Sequence, residues 1–213
     1  MPVPPPTPSS DPSAAFSLNL YHAGDWISQQ TRYYCLPAAM QVMINIMSDG
    51  PHDETRATQD RLHGLARSLS SGRQRGKGSE PTGWAEGLNR EGFGRYVVVT
   101  RPTIEEAVAL AARQLRLTNR PVGLLTWRGA HSWVMSGFES VGDPALTDDF
   151  TVTGLWIQDV WYPRVSSNWG EAYPPNSLVP IEQLADDFRP YRRPRVSYPE
   201  LDGQYVMVLP TED

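Results

Sequence analysis

Tyr33-Tyr34-Cys35-Leu36-Pro37-Ala38-Ala39-Met40-Gln41-Val42-Met43-Ile44-Asn45-Ile46-Met47 is the stretch on which the reading of this chain turns. Proline fits the first turn of a helix and not its interior, so Pro37 followed by an apolar run predicts a helix over about 36–47 that Cys35 caps or begins. The run is apolar on all sides, which calls for burial. Asp49-Gly50-Pro51 is a strong stop signal. A helix start presents unpaired backbone N–H groups and the positive end of the helix dipole. A cysteine placed there has its thiolate stabilised and becomes a nucleophile. A free cysteine is also a common core residue, so the choice between packing and chemistry depends on what the rest of the chain offers it.

Cys35 is the only cysteine among 213 residues, which excludes an internal disulfide and a cysteine-rich zinc site. The four histidines (His22, His52, His63, His131) lack metal-ligand spacing, so neither a metal nor another cofactor is expected. A net charge of −5 and a pI near 5.4 argue against a nucleic-acid surface, which needs a basic face. A peptide or protein substrate is the expected partner. No apolar run is long enough to cross a bilayer and no signal pattern opens the chain, which reads as cytoplasmic; removal of an upstream signal or anchor would make it secreted. The length suits one domain.

Residues 1–15, with six prolines among Ser, Thr and Asp, read as a disordered tail, leaving 16–213 as the domain. A second helix is expected over about 53–69, where Ala57, Leu62, Leu65, Ala66 and Leu69 recur at helical spacing. The glycine-rich basic segment from Ser70 to Pro81 reads as a surface loop, since it lacks the ending of a phosphate-binding loop. A short helix follows around Trp84 and Leu88, then a buried strand at Tyr96-Val97-Val98-Val99. Thr103 and Glu106 then form a capping box that opens a helix running to Leu117, and Asn119 and Pro121 end it. Residues 121–127 and 131–138 read as a hairpin around Arg128-Gly129-Ala130. A third strand covers 151–160, a short helix 180–187 and a closing strand 205–209. The expectation is an α+β fold, with a helical N-terminal half packed on a C-terminal antiparallel sheet.

Cys35 at a helix start, His131 at a strand start and Asp159 near the end of the next long strand are the parts of a thiol nucleophile system. They would serve as nucleophile, base, and carboxylate orienting the base. Neighbouring antiparallel strands can bring the last two together. A glutamine amide just before the nucleophile, with the cysteine N–H, would supply oxyanion donors, and Gln29 and Gln30 both lie there.

The pattern Gln-(x)5-Cys-x-Pro-Ala, with Ala130-His131-Ser132-Trp133-Val134-Met135-Ser136-Gly137-Phe138 far downstream and a hydrophobic strand ending in Asp, resembles the C39-like branch of the papain-like cysteine peptidases. The resemblance spans roughly residues 29–163. It implies a papain-like fold and a cysteine (thiol) peptidase that hydrolyses amide bonds. In that reading Cys35 is the nucleophile, His131 the base and acid, Asp159 the orienting carboxylate and Gln29 the oxyanion donor, with Gln30 as its alternative. Three features depart from the pattern. Leu36 stands where the family usually has glycine, Asp159 is not followed directly by proline, and Asp143-Pro144 in the intervening loop offers a second candidate carboxylate. Two other readings fit the same residues: an acyltransferase or transglutaminase-like enzyme using the same thiol, and a catalytically silent peptide-binding module. The tryptophans Trp84, Trp127, Trp133, Trp156, Trp161 and Trp169 read as core or cleft walls.

Overall fold

The computed structural model describes residues 14–50, 52–71, 76–193 and 198–212. Most of the proline-rich tail, residues 1–13, and residues 72–75 of the glycine-rich loop lie outside them. Among the described residues the fold is α+β. Strand β1 spans Ala15–Asn19, so regular structure begins just inside the expected tail. Three helices follow, α1 (Cys35–Met47), α2 (Arg56–Ser68) and α3 (Pro81–Arg90). After them come β2 (Tyr96–Arg101), α4 (Ile104–Thr118) and the hairpin strands β3 (Val122–Thr126) and β4 (His131–Val141). The chain closes with β5 (Thr151–Asp159), the two-residue strands β6 (Val165–Ser166) and β7 (Gly170–Glu171), β8 (Ser177–Pro180), α5 (Ile181–Leu184) and β9 (Tyr205–Pro210).

One antiparallel sheet runs in the order β2-β9-β3-β4-β5-β8, and β1 joins it by pairing with the far half of β4. Alternation along the strands sends side chains to two cores. Leu125, Val134, Val206 and Val208 face one way, against α1, α2 and α3. Leu124, Trp133, Met135, Met207 and Leu209 face the other way, against α4. The sheet is therefore covered by helices on both faces, and β1 and β2 come from the first half of the chain. This corrects the expectation of a helical half packed on a sheet half. Val97, Val98 and Val99 pair with the closing strand, which lies beyond the reach of any local pattern.

Local signals placed the helix ends well. Thr103 accepts from the Glu106 N–H at 3.2 Å, and Asn119 stops α4 in the left-handed conformation with φ 54°. Helix α1 is buried along most of its length and packs on β4, which bears His131. That contact delivers the helix start to the end of the sheet.

Candidate active site

Cys35 is the first residue of α1, with Tyr34 as the cap and Pro37 inside the first turn. The first-turn N–H groups have no carbonyl within their own helix. Of these, the Leu36 N–H reaches the Cys35 sulfur. The Leu36 side chain is 3% exposed and belongs to the core, so its bulk beside Cys35 is largely directed inward.

His131 is delivered by the hairpin. Thr126 pairs with His131 across β3 and β4, and Trp127-Arg128-Gly129-Ala130 connects them. Trp127, Arg128 and Gly129 all take positive φ, at 54°, 57° and 81°. Two non-glycine residues in that region cost about 1–2 kcal/mol each, and the turn is held in place from outside. Trp127 donates its backbone N–H to the Asp187 carbonyl at 2.8 Å, and the Arg192 N–H donates to the Arg128 carbonyl at 3.1 Å. Only glycine fits at 129, because a Cβ there would lie 2.4 Å from the Tyr191 ring.

Asp159 reaches His131 through strand register. Asp159 is the direct partner of Trp133, so His131, two residues along β4 on the same face, sits diagonal to it. His131 Nε2 donates to Asp159 Oδ1 at 2.8 Å, with both side chains buried. The Trp161 N–H donates to the same oxygen at 2.9 Å and the Tyr173 N–H to Oδ2 at 3.3 Å. With Nε2 so engaged, the other ring nitrogen is left for the Cys35 thiol, which is hydrogen-bonded to His131. Ser132 alternates to the opposite face of β4 and donates its hydroxyl to Cys35 Sγ at 3.8 Å.

The electrostatics follow from these contacts. Burial opposes ionisation of Cys35, but the hydrogen bond and positive charge of His131, then the Ser132 hydroxyl and the Leu36 N–H, outweigh it and hold the thiol below its ordinary value. Burial alone would push His131 down. The Asp159 charge and hydrogen bond, reinforced by Cys35, push it up to about 9. A lowered thiol beside a raised imidazole favours the thiolate–imidazolium form of the pair over its neutral form.

One flank of His131 is walled by aromatic rings. Trp127 stacks on the imidazole with centroids 4.2 Å apart, Trp161 meets it edge-on at 6.3 Å, and Trp169 stacks on Trp127 at 6.0 Å. Asp187 Oδ1 accepts from Trp127 Nε1 at 2.7 Å and fixes the stacked ring. On the other flank a cavity of about 670 Å³ opens at Cys35, His131 and Ser132, with Tyr191 and Tyr198 among its walls.

The other candidates sit elsewhere. Gln29 is 1% exposed and is anchored by its backbone N–H to the Val160 carbonyl at 2.9 Å; its Nε2 donates to the Thr31 carbonyl at 2.6 Å, and its Oε1 is buried without a partner. Gln30 turns towards α2, where its Oε1 accepts from Arg56 Nε at 3.2 Å. Neither lines the cavity. Asp143 is gripped by Arg116 through contacts of 3.0 to 3.2 Å and caps the Ala145 N–H. It ties α4 to the loop after β4 and has no part in orienting His131. Sequence reasoning missed Ser132 and Asp187, and it read Trp127 as a core or cleft wall without placing it against His131. Ser132 was open to inference, because strand alternation puts it on the same face of β4 as Val134, which packs in the core with α1. Among the described residues no group of three or more His, Cys, Asp or Glu side chains could hold a metal ion, and no helix is long and apolar enough to cross a membrane. No protein-family model matches the chain, and no curated protein matches it significantly.

Proposed function

We propose that the chain is a cysteine peptidase of papain-like, C39-like type that hydrolyses amide bonds in a peptide or protein through an acyl-enzyme on Cys35. The observation that carries this reading is the unbroken line of contacts from Cys35 at a helix start, through His131, to a fully buried Asp159. The thiolate attacks the scissile carbonyl and a C–S bond forms. The imidazolium gives its proton to the leaving nitrogen, the C–N bond breaks and the amine departs. Water, deprotonated by the now neutral His131, attacks the thioester, releases the acid and restores the ion pair. The oxyanion is met at the first turn of α1, where the Cys35 N–H is available. For Gln29 to act as the second donor, its amide must leave the Thr31 carbonyl.

Alkylation and turnover test the reading together. Iodoacetamide should label Cys35 at about pH 6 much faster than an ordinary thiol, whose pKa is near 8.5. The advantage should vanish in His131→Ala, and a peptide pool should be cleaved by the wild type but not by Cys35→Ala. Ordinary labelling that is indifferent to His131 would sink the proposal.

A further inference from the structure

The chain carries 24 acidic side chains against 19 lysines and arginines, yet the rim of the cavity at Cys35 has the opposite sign. Arg32 arrives from the loop before α1, Lys77 from the turn before α3 and Arg193 from the segment between α5 and β9, and all three are exposed. Glu80, 6% exposed, is the only carboxylate among the described lining residues. Four arginines elsewhere are held by carboxylates. Arg61 pairs with Glu91, Arg113 with Asp148, Arg116 with Asp143 and Arg189 with Asp186. Among the described residues Arg32, Lys77 and Arg193 have no carboxylate partner. Lys77 instead rests over the Tyr33 ring at 5.6 Å, which parks its ammonium at the mouth. The rest of the lining is mixed, with Leu125, Tyr191 and Tyr198 largely buried beside the polar Ser79 and Ser132. Three exposed cations around one concave cleft raise the positive potential within it. The thiolate–imidazolium pair is neutral as a unit and needs no such field, so the charge is there for what enters.

We propose that this cavity selects acidic peptides, by placing a carboxylate of the substrate, next to the bond presented to Cys35, among Arg32, Lys77 and Arg193. The inference rests on the peptidase reading of Cys35 for what happens next, but the binding can be tested apart from it. The carboxylate is either a Glu or Asp side chain or the chain terminus, and either source meets the same cations.

The experiment uses the full chain with Cys35→Ala, which cannot turn over, and four matched fluorescent peptides read by anisotropy. These are a Glu peptide with an amidated C-terminus, its Gln and Lys counterparts, also amidated, and the Gln peptide with a free C-terminus. The Glu amide should bind roughly tenfold more tightly than the Gln amide, as expected for a few exposed charge pairs acting together. The gap should shrink as salt rises. Adding Arg32→Glu, Lys77→Glu and Arg193→Glu should erase the gap or reverse it towards the Lys peptide. These are surface positions, and circular dichroism will verify that the variant is folded. A gain confined to the free-terminus Gln peptide would assign the carboxylate to the chain end and still support the proposal. Equal affinity for the Glu, Gln and Lys amides and the free-terminus peptide, a preference that survives the triple reversal, or no binding of any peptide would each overturn it. The wild type is assayed for cleavage of the same peptides. Glu-selective binding without cleavage would leave this inference standing and remove the peptidase reading, whereas charge-blind binding with cleavage would do the reverse.

Discussion

The two flanks of His131 are built from opposite materials. On one, Trp127, Trp161 and Trp169 close over the imidazole and a buried Asp159 sits against its Nε2. On the other, Cys35 meets a cavity with exposed cations at its rim. An ion–hydrogen-bond contact gains strength where water is excluded, and a nucleophile is useful only where a substrate can enter. A single ring cannot satisfy both demands unless its environment changes across its own plane. The strand-borne side of the site is fixed by sheet register and aromatic packing. The entry side is assembled from loops, where charge and shape can vary at little cost to the fold.

The largest effect is expected from changing the charge on the walled flank. Asp159→Asn keeps an acceptor of similar shape but removes the anion that holds His131 up at about 9 against the downward push of burial, so the ring should titrate well below that value. The imidazolium, which in the proposed mechanism protonates the leaving amine, would then be lost earlier as pH rises. The loss of protonated ring is greatest at alkaline pH, just below the wild-type value, and smallest at acid pH. A pH profile of peptide cleavage should therefore lose its alkaline half and keep its acid limb. Equal loss at every pH would mean that Asp159 acts through folding and not through charge.

A smaller loss should follow from breaching the wall. Trp127→Ala deletes the ring stacked on His131 and the Nε1 bond to Asp187, at a cost of about 3 kcal/mol in stability for a largely buried tryptophan. It also admits water to the His131–Asp159 contact. Trp127→Phe keeps a ring but not the bond to Asp187. Cleavage by the folded protein should fall in the order wild type, Phe, Ala, with the alkaline limb of the pH profile shifting to lower pH in Ala, because hydration weakens the hold of Asp159 on the imidazolium. Thermal unfolding and the pH profile, measured on the same samples, separate the two consequences. An Ala variant with an unmoved alkaline limb would show that the wall is structural only.

How much of this site could be read from the chain depended on how local each cause was. Pro37 and the apolar run after it placed Cys35 at a helix start, and the Arg128-Gly129-Ala130 turn placed His131 at a strand start, because both signals lie within a few residues. The contact of His131 with Asp159 needed the register of β4 against β5. Chain order suggested it, but the rival Asp143 was removed only by its grip on Arg116, a partner 27 residues away on α4. The direction of the Gln29 amide is set by the Thr31 carbonyl, and backbone folding of that kind leaves no mark in composition. The left-handed conformation of Trp127 was hidden for a different reason. Nothing about a tryptophan favours it, and it is held by Asp187, 60 residues later. The sheet order, with β2 beside β9, was hidden for the same reason of sequence distance.

The smallest expected effect lies on the entry flank, at Ser132. Its hydroxyl donates to Cys35 Sγ at 3.8 Å and adds to the hold that His131 has on the thiolate. Bonds to sulfur are long and the donor is neutral, so Ser132→Ala should slow alkylation of Cys35 at about pH 6 by only roughly threefold to tenfold. The sign is set by which form the bond favours. A donor stabilises the thiolate, so its loss shifts the labelling curve to higher pH and leaves the plateau at alkaline pH unchanged. The alkaline limb attributed to His131 and Asp159 should not move, because Ser132 faces away from them across the strand. Ser132→Thr, which retains the hydroxyl, should return the curve towards wild type. A uniform drop in labelling at all pH values, or a curve that Thr cannot restore, would mean that Ser132 merely fills space beneath α1. In that case His131 would be the principal neighbouring group setting the nucleophile's charge.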